Sequence, residues 1–247
     1  MKTLILPEKE SWEKLCERPG ISKDDLENVV RDILESVKTR SDKAVLYYAR
    51  KFDGELTGNL KVTPEEIQES EELIPKPLRD AIKFAKKNIE TFHSAQLLRE
   101  PVIETVNGVR CWRKSVPIEK VGLYIPGGSA PLFSTLLMLG IPAKLAGCKK
   151  IIICTPAGKD GKVSSLVLYT AKLLGITDIF KVGGAQAIAA MAYGTESIPN
   201  VYKIFGPGNQ YVTKAKEMIQ RDGIAIDMPA GPSEVLVIAD NEAIPNL

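Results

Sequence analysis

Four glycine-rich segments are the parts of this 247-residue sequence best suited to bind a ligand. They are Pro126-Gly127-Gly128-Ser129-Ala130, Thr155-Pro156-Ala157-Gly158, Gly183-Gly184-Ala185-Gln186 and Gly206-Pro207-Gly208-Asn209. Glycine lets a backbone approach a ligand closely, and a helix that starts after such a loop offers N–H groups and a positive dipole end to a phosphate. A single segment of this kind is often only a strand-to-helix turn. Four together, each with an amide or hydroxyl side chain, favour a nucleotide site.

Three polar side chains beside these segments could contact such a ligand. Tyr124 lies on the apolar run that enters the first loop, where its ring could stack on a base or its hydroxyl could bond a ribose. Gln186 and Asn209 place amides at two loop-to-helix junctions, although an amide there more often bonds the backbone of its own helix. The sequence has no G-x-G-x-x-G fingerprint, and Thr155 stands where an acidic residue would bind the ribose of a dinucleotide.

Histidine and cysteine, which carry much metal-dependent and nucleophilic catalysis, are scarce. His93 is the single histidine and lies beside the apolar stripe of a predicted helix, so a structural or surface role is expected. A catalytic zinc usually takes three protein ligands, and no His or Cys cluster supplies them. Cys148 and Cys154 are expected to be small core residues. A cysteine nucleophile at either would need a stabilised thiolate, for which Lys149 and Lys150 are the neighbouring cations.

Composition and charge exclude several classes of function. The 33 Lys and Arg residues against 31 Asp and Glu residues give a net charge of +2, so binding to nucleic acid or an anionic membrane is not expected. The apolar runs are far shorter than the roughly 20 residues that span a bilayer, and the first residues lack the pattern of a signal peptide. Four cysteines without a Cys-x-x-Cys pair fit a reducing compartment. We therefore expect a cytoplasmic protein.

The spacing of apolar residues changes near residue 117. Before it, the pattern predicts helices that begin after Ser22, after Ser41, at the capping box Thr63-Pro64-Glu65-Glu66 and at Pro77. The last of these helices carries an apolar stripe from Leu78 to Phe92 that should face the core. Residues 102–116 then alternate on either side of Asn107-Gly108, which predicts a β-hairpin.

Beyond residue 118, strands and helices alternate. Strands are predicted at residues 121–125, 150–154, 179–182, 201–205 and 234–239, with helices at residues 132–139, extended by a turn from Pro142, and at 163–174, 186–193 and 210–221. The strands are apolar with little alternation, which is typical of a parallel sheet covered on both faces. The sequence thus predicts an α/β fold with a helical amino-terminal region, a hairpin and a doubly wound, mostly parallel sheet. Ligands of such sheets bind outside the carboxyl ends of the strands.

The blocks VGLYIPGG, VGGAQAIAA, IFGPGN and IDMPAGPSEVLVIAD resemble those of histidinol dehydrogenases. They run in family order from about residue 121 to residue 239. The resemblance implies a homodimeric enzyme with Rossmann-like domains of the aldehyde-dehydrogenase type, which oxidises L-histidinol to L-histidine through an aldehyde in two NAD-dependent steps with one zinc per active site. It also implies NAD contacts at Tyr124, Gln186 and Asn209, and a substrate contact at Ser233.

Family members continue past the Ala-Gly-Pro-Ser-Glu block to zinc ligands and a Glu-His pair for proton transfer, whereas this sequence ends at Leu247. We therefore expect an amino-terminal portion of the enzyme that holds no catalytic or zinc-binding residue and is inactive alone. Residues 1–117 would belong to the catalytic domain, residues 118–235 would form the NAD-binding domain, and residues 236–247 would start a second Rossmann-like domain. The alternatives are a non-catalytic nucleotide-binding module, an aldehyde-dehydrogenase-like enzyme with a cysteine nucleophile, and a structural protein whose open sheet edge awaits a partner.

Overall fold

The computed structural model describes residues 4–16, 23–53, 59–97, 100–127, 132–229, 240 and 242. Its helices, which follow a 3₁₀ turn at Lys9–Ser11, are α1 (Trp12–Cys16), α2 (Lys23–Arg40), α3 (Asp42–Phe52), α4 (Pro64–Glu69), α5 (Lys76–Ser94), α6 (Phe133–Leu145), α7 (Ser165–Leu174), α8 (Gly184–Tyr193) and α9 (Gln210–Arg221). Its strands are β1 (Ile103–Val106), β2 (Val109–Cys111), β3 (Lys120–Tyr124), β4 (Lys150–Thr155), β5 (Asp178–Lys181), β6 (Lys203–Phe205) and β7 (Ala225–Ile226).

Five strands form one parallel sheet in the order β5-β4-β3-β6-β7. The first strand of the sheet along the sequence, β3, lies at its centre. The following strands β4 and β5 add to one side of β3, and β6 then pairs with the other side of β3. This reversal creates a topological switch point between β3 and β6, where sheets of this kind bind ligands. The predicted doubly wound α/β fold is confirmed, and so is the antiparallel hairpin of β1 and β2.

Helices cover both faces of the sheet, which explains the continuous apolar runs of the strands. Successive side chains of a strand point to opposite faces. On β4, Ile152 and Cys154 join the apolar cluster beneath α2, α3, α8 and α9, whereas Ile151 and Ile153 join the cluster beneath α5, α6 and α7. All four side chains are buried. If apolar and polar residues alternated along the strands, one of the two clusters would receive only polar strand side chains.

The helices before residue 117 take part in both apolar clusters. Val30 and Val37 of α2 are buried against α8 and α9, while Ile82 of α5 is buried against α6. The domain boundary near residue 117 stays a prediction. The apolar stripe of α5 is only partly buried: Phe92 is 65% exposed, because the cluster on this face ends at Ile89.

Several local predictions can be compared with the structure. The capping box is present: the Thr63 hydroxyl accepts the Glu66 N–H at 3.3 Å, and the Glu66 carboxylate accepts the Thr63 N–H at 2.9 Å. Ser41 precedes α3 but its side chain does not cap that helix, because its hydroxyl accepts the Glu196 N–H instead. Pro142 lies inside the single helix α6 rather than starting a separate turn. Ser22 and the strand at 234–239 fall outside the described residues.

One edge of the sheet is covered by the chain itself. The Lys181 N–H donates to the Leu60 carbonyl at 2.7 Å and the Val62 N–H donates to the Ile179 carbonyl at 2.9 Å, so residues 60–62 pair with β5. This pairing removes one of the two edges that a partner strand would need. Within the described ranges, no helix has both the length and the apolar character needed to cross a bilayer.

Candidate functional site

The loops at the carboxyl edge of the sheet lie so close together that several of their glycines, among them Gly183 and Gly206, have no room for a side chain. A Cβ at Gly183 would lie 2.8 Å from Cβ of Pro156, which belongs to the loop after β4. Gly206, after β6, has a φ of +135°, and a Cβ there would collide with the backbone carbonyl oxygen of Tyr124. Gly183 therefore lets the loop after β5 contact the loop after β4, and Gly206 lets the loop after β6 contact the end of β3. Both contacts lie at the predicted site.

Tyr124 is buried at the end of β3 and is linked to α8. Its hydroxyl oxygen accepts the backbone N–H of Gly184 at 3.1 Å, and its side chain is only 4% exposed. Burial raises the pKa of Tyr124 to about 12, although the Gly184 N–H acts in the opposite direction. The phenol is protonated at neutral pH, as a tyrosine with the ordinary pKa of about 10 also is. The Gly184 N–H occupies an acceptor position of the phenol oxygen, which leaves the O–H as a hydrogen-bond donor.

Asp53 adds a carboxylate to this group. It directly follows α3, and its carboxylate accepts the Gly183 N–H at 3.1 Å and lies 3.5 Å from Nε2 of Gln186. Burial raises the pKa of Asp53, while these hydrogen bonds lower it. Asp53 gives no local signal in the sequence, since the residues that it contacts lie 130 or more positions away.

Gln186 lies in the first turn of α8 and is 1% exposed. Its side chain folds back over Gly184, where a Cβ would lie 2.6 Å from Oε1 of the amide. Gly184 also has a φ of +65°, and this backbone conformation favours glycine there. Asp53, Tyr124, Gly184 and Gln186 thus form one connected group, the α8 cluster.

Asn209 lies at the end of the loop after β6 and caps α9. Its side-chain oxygen accepts the N–H groups of Tyr211 and Val212, both at 3.1 Å, which is the usual role of asparagine at this position. The side chain is exposed, and its NH₂ group can donate to a ligand. The first residue of the same loop, Gly206, contacts Tyr124, so the loop connects Asn209 to the α8 cluster through the backbone.

Side chains occupy some of the N–H groups that were expected to be free at the starts of α8 and α9. The Gly183 and Gly184 N–H groups donate to Asp53 and Tyr124, and the Tyr211 and Val212 N–H groups at the start of α9 donate to Asn209. Side-chain donors remain: the Tyr124 hydroxyl, the NH₂ group of Asn209 and the second N–H of the Gln186 amide, whose first N–H faces Asp53. Such donors suit sugar hydroxyls, carbonyl groups and phosphate oxygens.

A cleft of about 430 Å³ opens beside this group, on the β4 side. It lies between α4, the loops after β3 and β4, and the start of α7, and its lining includes Glu66, Gly127, Thr155, Pro156 and Ser164. Glu66 is fixed there by an ion pair of 2.6 Å with Lys181. The carboxyl edge therefore offers room for a ligand beyond the side chains of the α8 cluster.

The cysteines and the histidine show no catalytic environment. Cys154 is fully buried, and burial raises the pKa of its thiol well above its usual range. Burial also raises the pKa of Cys148, so neither thiol is stabilised as the thiolate that a nucleophile needs. His93 bonds to Oε1 of Gln96 at 2.8 Å and packs edge-on against Phe92. These contacts agree with structural roles.

Metal and substrate contacts are not assembled in the part of the chain that the structure describes. No group of three or more His, Cys, Asp or Glu side chains there is close enough to hold a metal ion. Ser233, for which the resemblance implies a substrate contact, lies outside the described residues.

Comparison with known proteins gives one consistent result. Residues 16–247 match the family model of histidinol dehydrogenase. The chain is 56% identical over 245 residues to histidinol dehydrogenase of Bacteroides thetaiotaomicron, which covers 99% of this chain and 57% of that protein. It is 53% identical over 240 residues to the Escherichia coli K12 protein of the same name, covering 96% of this chain and 54% of that protein.

A solved structure agrees with these relatives. The crystal structure of histidinol dehydrogenase from Elizabethkingia anophelis superimposes with a TM-score of 0.86 at 53% identity, covering 99% of this chain and 57% of that chain. The sequence thus spans somewhat more than half the length of the relatives that it matches.

Proposed function

The chain belongs to the histidinol dehydrogenase family, and from this premise we propose that it supplies the NAD-binding part of an enzyme that oxidises L-histidinol to L-histidine. The observation that carries the proposal is the meeting of Tyr124, Gln186 and the loop 206–209 around the switch point between β3 and β6. Residues 118–235 would form the NAD-binding domain.

The described residues fit NAD by their donor chemistry. NAD carries ribose hydroxyls, a pyrophosphate and a carboxamide, all of which accept hydrogen bonds. The Tyr124 hydroxyl is protonated at neutral pH, as any tyrosine with an ordinary pKa is, and burial raises its pKa further, to about 12. The amides of Gln186 and Asn209 each carry an NH₂ group. NAD, when bound, accepts the hydride that leaves the substrate carbon.

The chain's own residues bind and orient the cofactor. Asp53 accepts the Gly183 N–H and lies beside the Gln186 amide, which limits the positions that this amide can take. The contact of Gly206 with Tyr124 holds the loop after β6 against the central strand. These contacts are made by the protein's own groups, and contacts of this kind reduce the ordering that ligand binding requires.

The described residues do not fit a catalytic zinc, since they contain no group of three suitable ligands. Zinc is therefore proposed for the complete enzyme on family membership, with ligands in the part of the relatives that this chain does not span. We propose oxidation in two steps, the Ser233 contact and the homodimer on the same ground. The cytoplasmic location is proposed from the four cysteines without a Cys-x-x-Cys pair. Exposed apolar side chains such as Phe84, Trp112 and Val116, at 63–70% exposure, support the proposal of self-association.

Calorimetric titration of NAD⁺ into the chain and three variants tests the cofactor site. Gln186→Ala should weaken binding by about 1–3 kcal/mol, the cost of leaving a polar group of the complex unpaired. Asn209→Asp keeps a capping oxygen for α9 but removes the NH₂ donor, so NAD affinity should fall while the unfolding free energy is retained. Asn209→Ala should lose affinity and also about 1 kcal/mol of stability with the cap. Unchanged affinity in both Gln186→Ala and Asn209→Asp would contradict the proposed site.

Turnover provides the second test of the proposal. The chain alone, supplied with L-histidinol, NAD⁺ and zinc, should form no NADH above background, because a single histidine and four scattered cysteines provide neither the metal ligands nor the general base. Loss of a general base alone usually costs about 10²–10⁴-fold in rate. Zinc-dependent NADH formation that His93→Ala abolishes would show that the active site lies elsewhere than proposed.

A further inference from the structure

A buried ion pair holds the first residue of the loop after β6. Lys216, on α9, is only 4% exposed, and its ammonium group pairs with the carboxylate of Asp227, which directly follows β7. The same ammonium group donates to the Gly206 carbonyl oxygen at 2.9 Å, and the Gly206 N–H donates to Oδ2 of Asp227 at 2.8 Å. Both backbone groups of Gly206 are thus bound by the two members of one ion pair, an arrangement called the Gly206 clamp below.

Stability alone is a weak reason for such a pair. Removing two charges from water costs free energy that their attraction often fails to recover, and apolar side chains of similar volume commonly serve a core as well. The neighbouring buried positions of α9, Val212, Ala215 and Ile219, are apolar. Lys216 is the charged member of this buried face, and its ammonium group is directed at the loop rather than at solvent.

The position of the clamp connects it to the candidate cofactor site. Gly206 is the residue whose backbone touches Tyr124, and three positions later Asn209 ends the loop by capping α9. The clamp therefore fixes the start of the loop and the cap fixes its end. A loop held at both ends loses little further freedom when a ligand binds, which preserves affinity.

We propose that Lys216 and Asp227 are positioning residues for the cofactor: they act through Gly206 and hold the loop 206–209 in the conformation that NAD binds. This inference rests on the proposed function. It assigns no contact between either side chain and the cofactor. This role differs from stabilising the packing of α9. If the ion pair only stabilised α9, its replacement would not loosen the loop 206–209.

Two variants and one control separate these roles. Lys216→Met removes the donor to the Gly206 carbonyl but keeps a long apolar side chain, and Asp227→Asn keeps an acceptor for the Gly206 N–H while removing the charge. Ile219→Val is the matched control, because it lies on the same helix in the apolar cluster and destabilises α9 without touching the clamp. Hydrogen exchange of residues 206–212 in the unliganded chain reports loop order, and calorimetry reports NAD⁺ affinity.

Lys216→Met should speed exchange in residues 206–212 and weaken NAD⁺ binding by about tenfold or more, the scale expected when a binding loop must be ordered anew. Asp227→Asn should show the same effects to a smaller degree, and Ile219→Val should keep NAD⁺ affinity within about twofold. Normal exchange in the loop of Lys216→Met, or unchanged NAD⁺ affinity despite a loosened loop, would overturn the positioning role. Absence of NAD⁺ binding by the unaltered chain would instead overturn the proposed function, and the positioning role with it.

Discussion

Replacing Gly206 with alanine tests the close approach between the loop after β6 and the central strand. The residue has a φ of +135°, a region that side chains rarely adopt, and a Cβ would collide with the carbonyl oxygen of Tyr124. That oxygen belongs to the backbone at the end of β3, so no side-chain rotation can relieve the collision. Either the loop or the strand end must move.

The cost of Gly206→Ala has two parts. A non-glycine residue held in an unfavourable backbone region costs about 1–3 kcal/mol, and an added methyl group in a closely packed site costs about another 1–3 kcal/mol. We therefore expect a loss of about 2–6 kcal/mol of unfolding free energy. Gly223→Ala is the matched control, because Gly223 has a φ of +91° with no atom within 4 Å of the added Cβ. It should lose only the backbone part, about 1–3 kcal/mol.

Urea unfolding of both variants measures the difference between these losses. Gly206→Ala should be less stable than Gly223→Ala by about 1–3 kcal/mol, the share assigned to the collision. A titration with NAD⁺ should also show binding lost in Gly206→Ala and retained in Gly223→Ala, since only the first displaces the loop beside Tyr124. Equal stability of the two variants would refute the close approach as the reason for glycine at position 206.

Two further predictions concern ionisable groups. A thiol reagent at neutral pH, followed by mass spectrometry, should modify the exposed Cys16 and Cys111 at once, Cys148 more slowly and the buried Cys154 only on unfolding. Rapid labelling of Cys154 in the folded chain would instead support the hypothesis of a cysteine nucleophile. Because the pKa of Tyr124 is about 12 in the folded chain and about 10 when unfolded, the unfolded state loses this proton first as pH rises. The contribution of Tyr124 to the unfolding free energy is thus constant below pH 10 and falls by about 1.4 kcal/mol per pH unit between pH 10 and 12. Tyr124→Phe should remove that part of the decline in urea unfolding curves, and an equally steep decline in the variant would count against the raised pKa.

Features that depend on neighbouring residues in the sequence could be predicted from the sequence. The Thr63 capping box needs only the hydroxyl and the Glu66 carboxylate three positions later, and both hydrogen bonds form. The apolar run of β4 correctly predicted a strand buried on both faces, because alternate side chains enter different apolar clusters. Strand β7 was missed since its two residues, Ala225 and Ile226, are too few to show a period.

Contacts between distant residues could not be predicted in this way. The sequence around Asp53 predicts only that a helix ends there, because the Gly183 N–H that donates to its carboxylate lies 130 positions away. Ser41 looks like a cap for α3, but its hydroxyl bonds to Glu196, 155 positions away. The spacing of Lys216 along α9 predicts a buried residue, whereas its charge predicts an exposed one. The side chain is buried because Asp227, beyond the turn after α9, forms an ion pair with it. In each case the deciding partner comes from the packing of the sheet and its helices.

At the carboxyl edge of the sheet, side chains accept hydrogen bonds from backbone N–H groups at the helix starts. This arrangement suggests how the sheet could bind a dinucleotide without the G-x-G-x-x-G fingerprint. That fingerprint presents the free N–H groups of a helix start to a pyrophosphate. At α8 and α9, two of the N–H groups at each helix start are already bonded to Asp53, Tyr124 and Asn209. Glycine in these loops therefore serves close packing, against the Tyr124 backbone at Gly206 and against the Pro156 side chain at Gly183. The side chains that this packing holds in place add donors to the backbone N–H groups that are left. On this argument, the affinity for NAD should fall on loss of the Gln186 and Asn209 amides and on loss of the Gly206 contact.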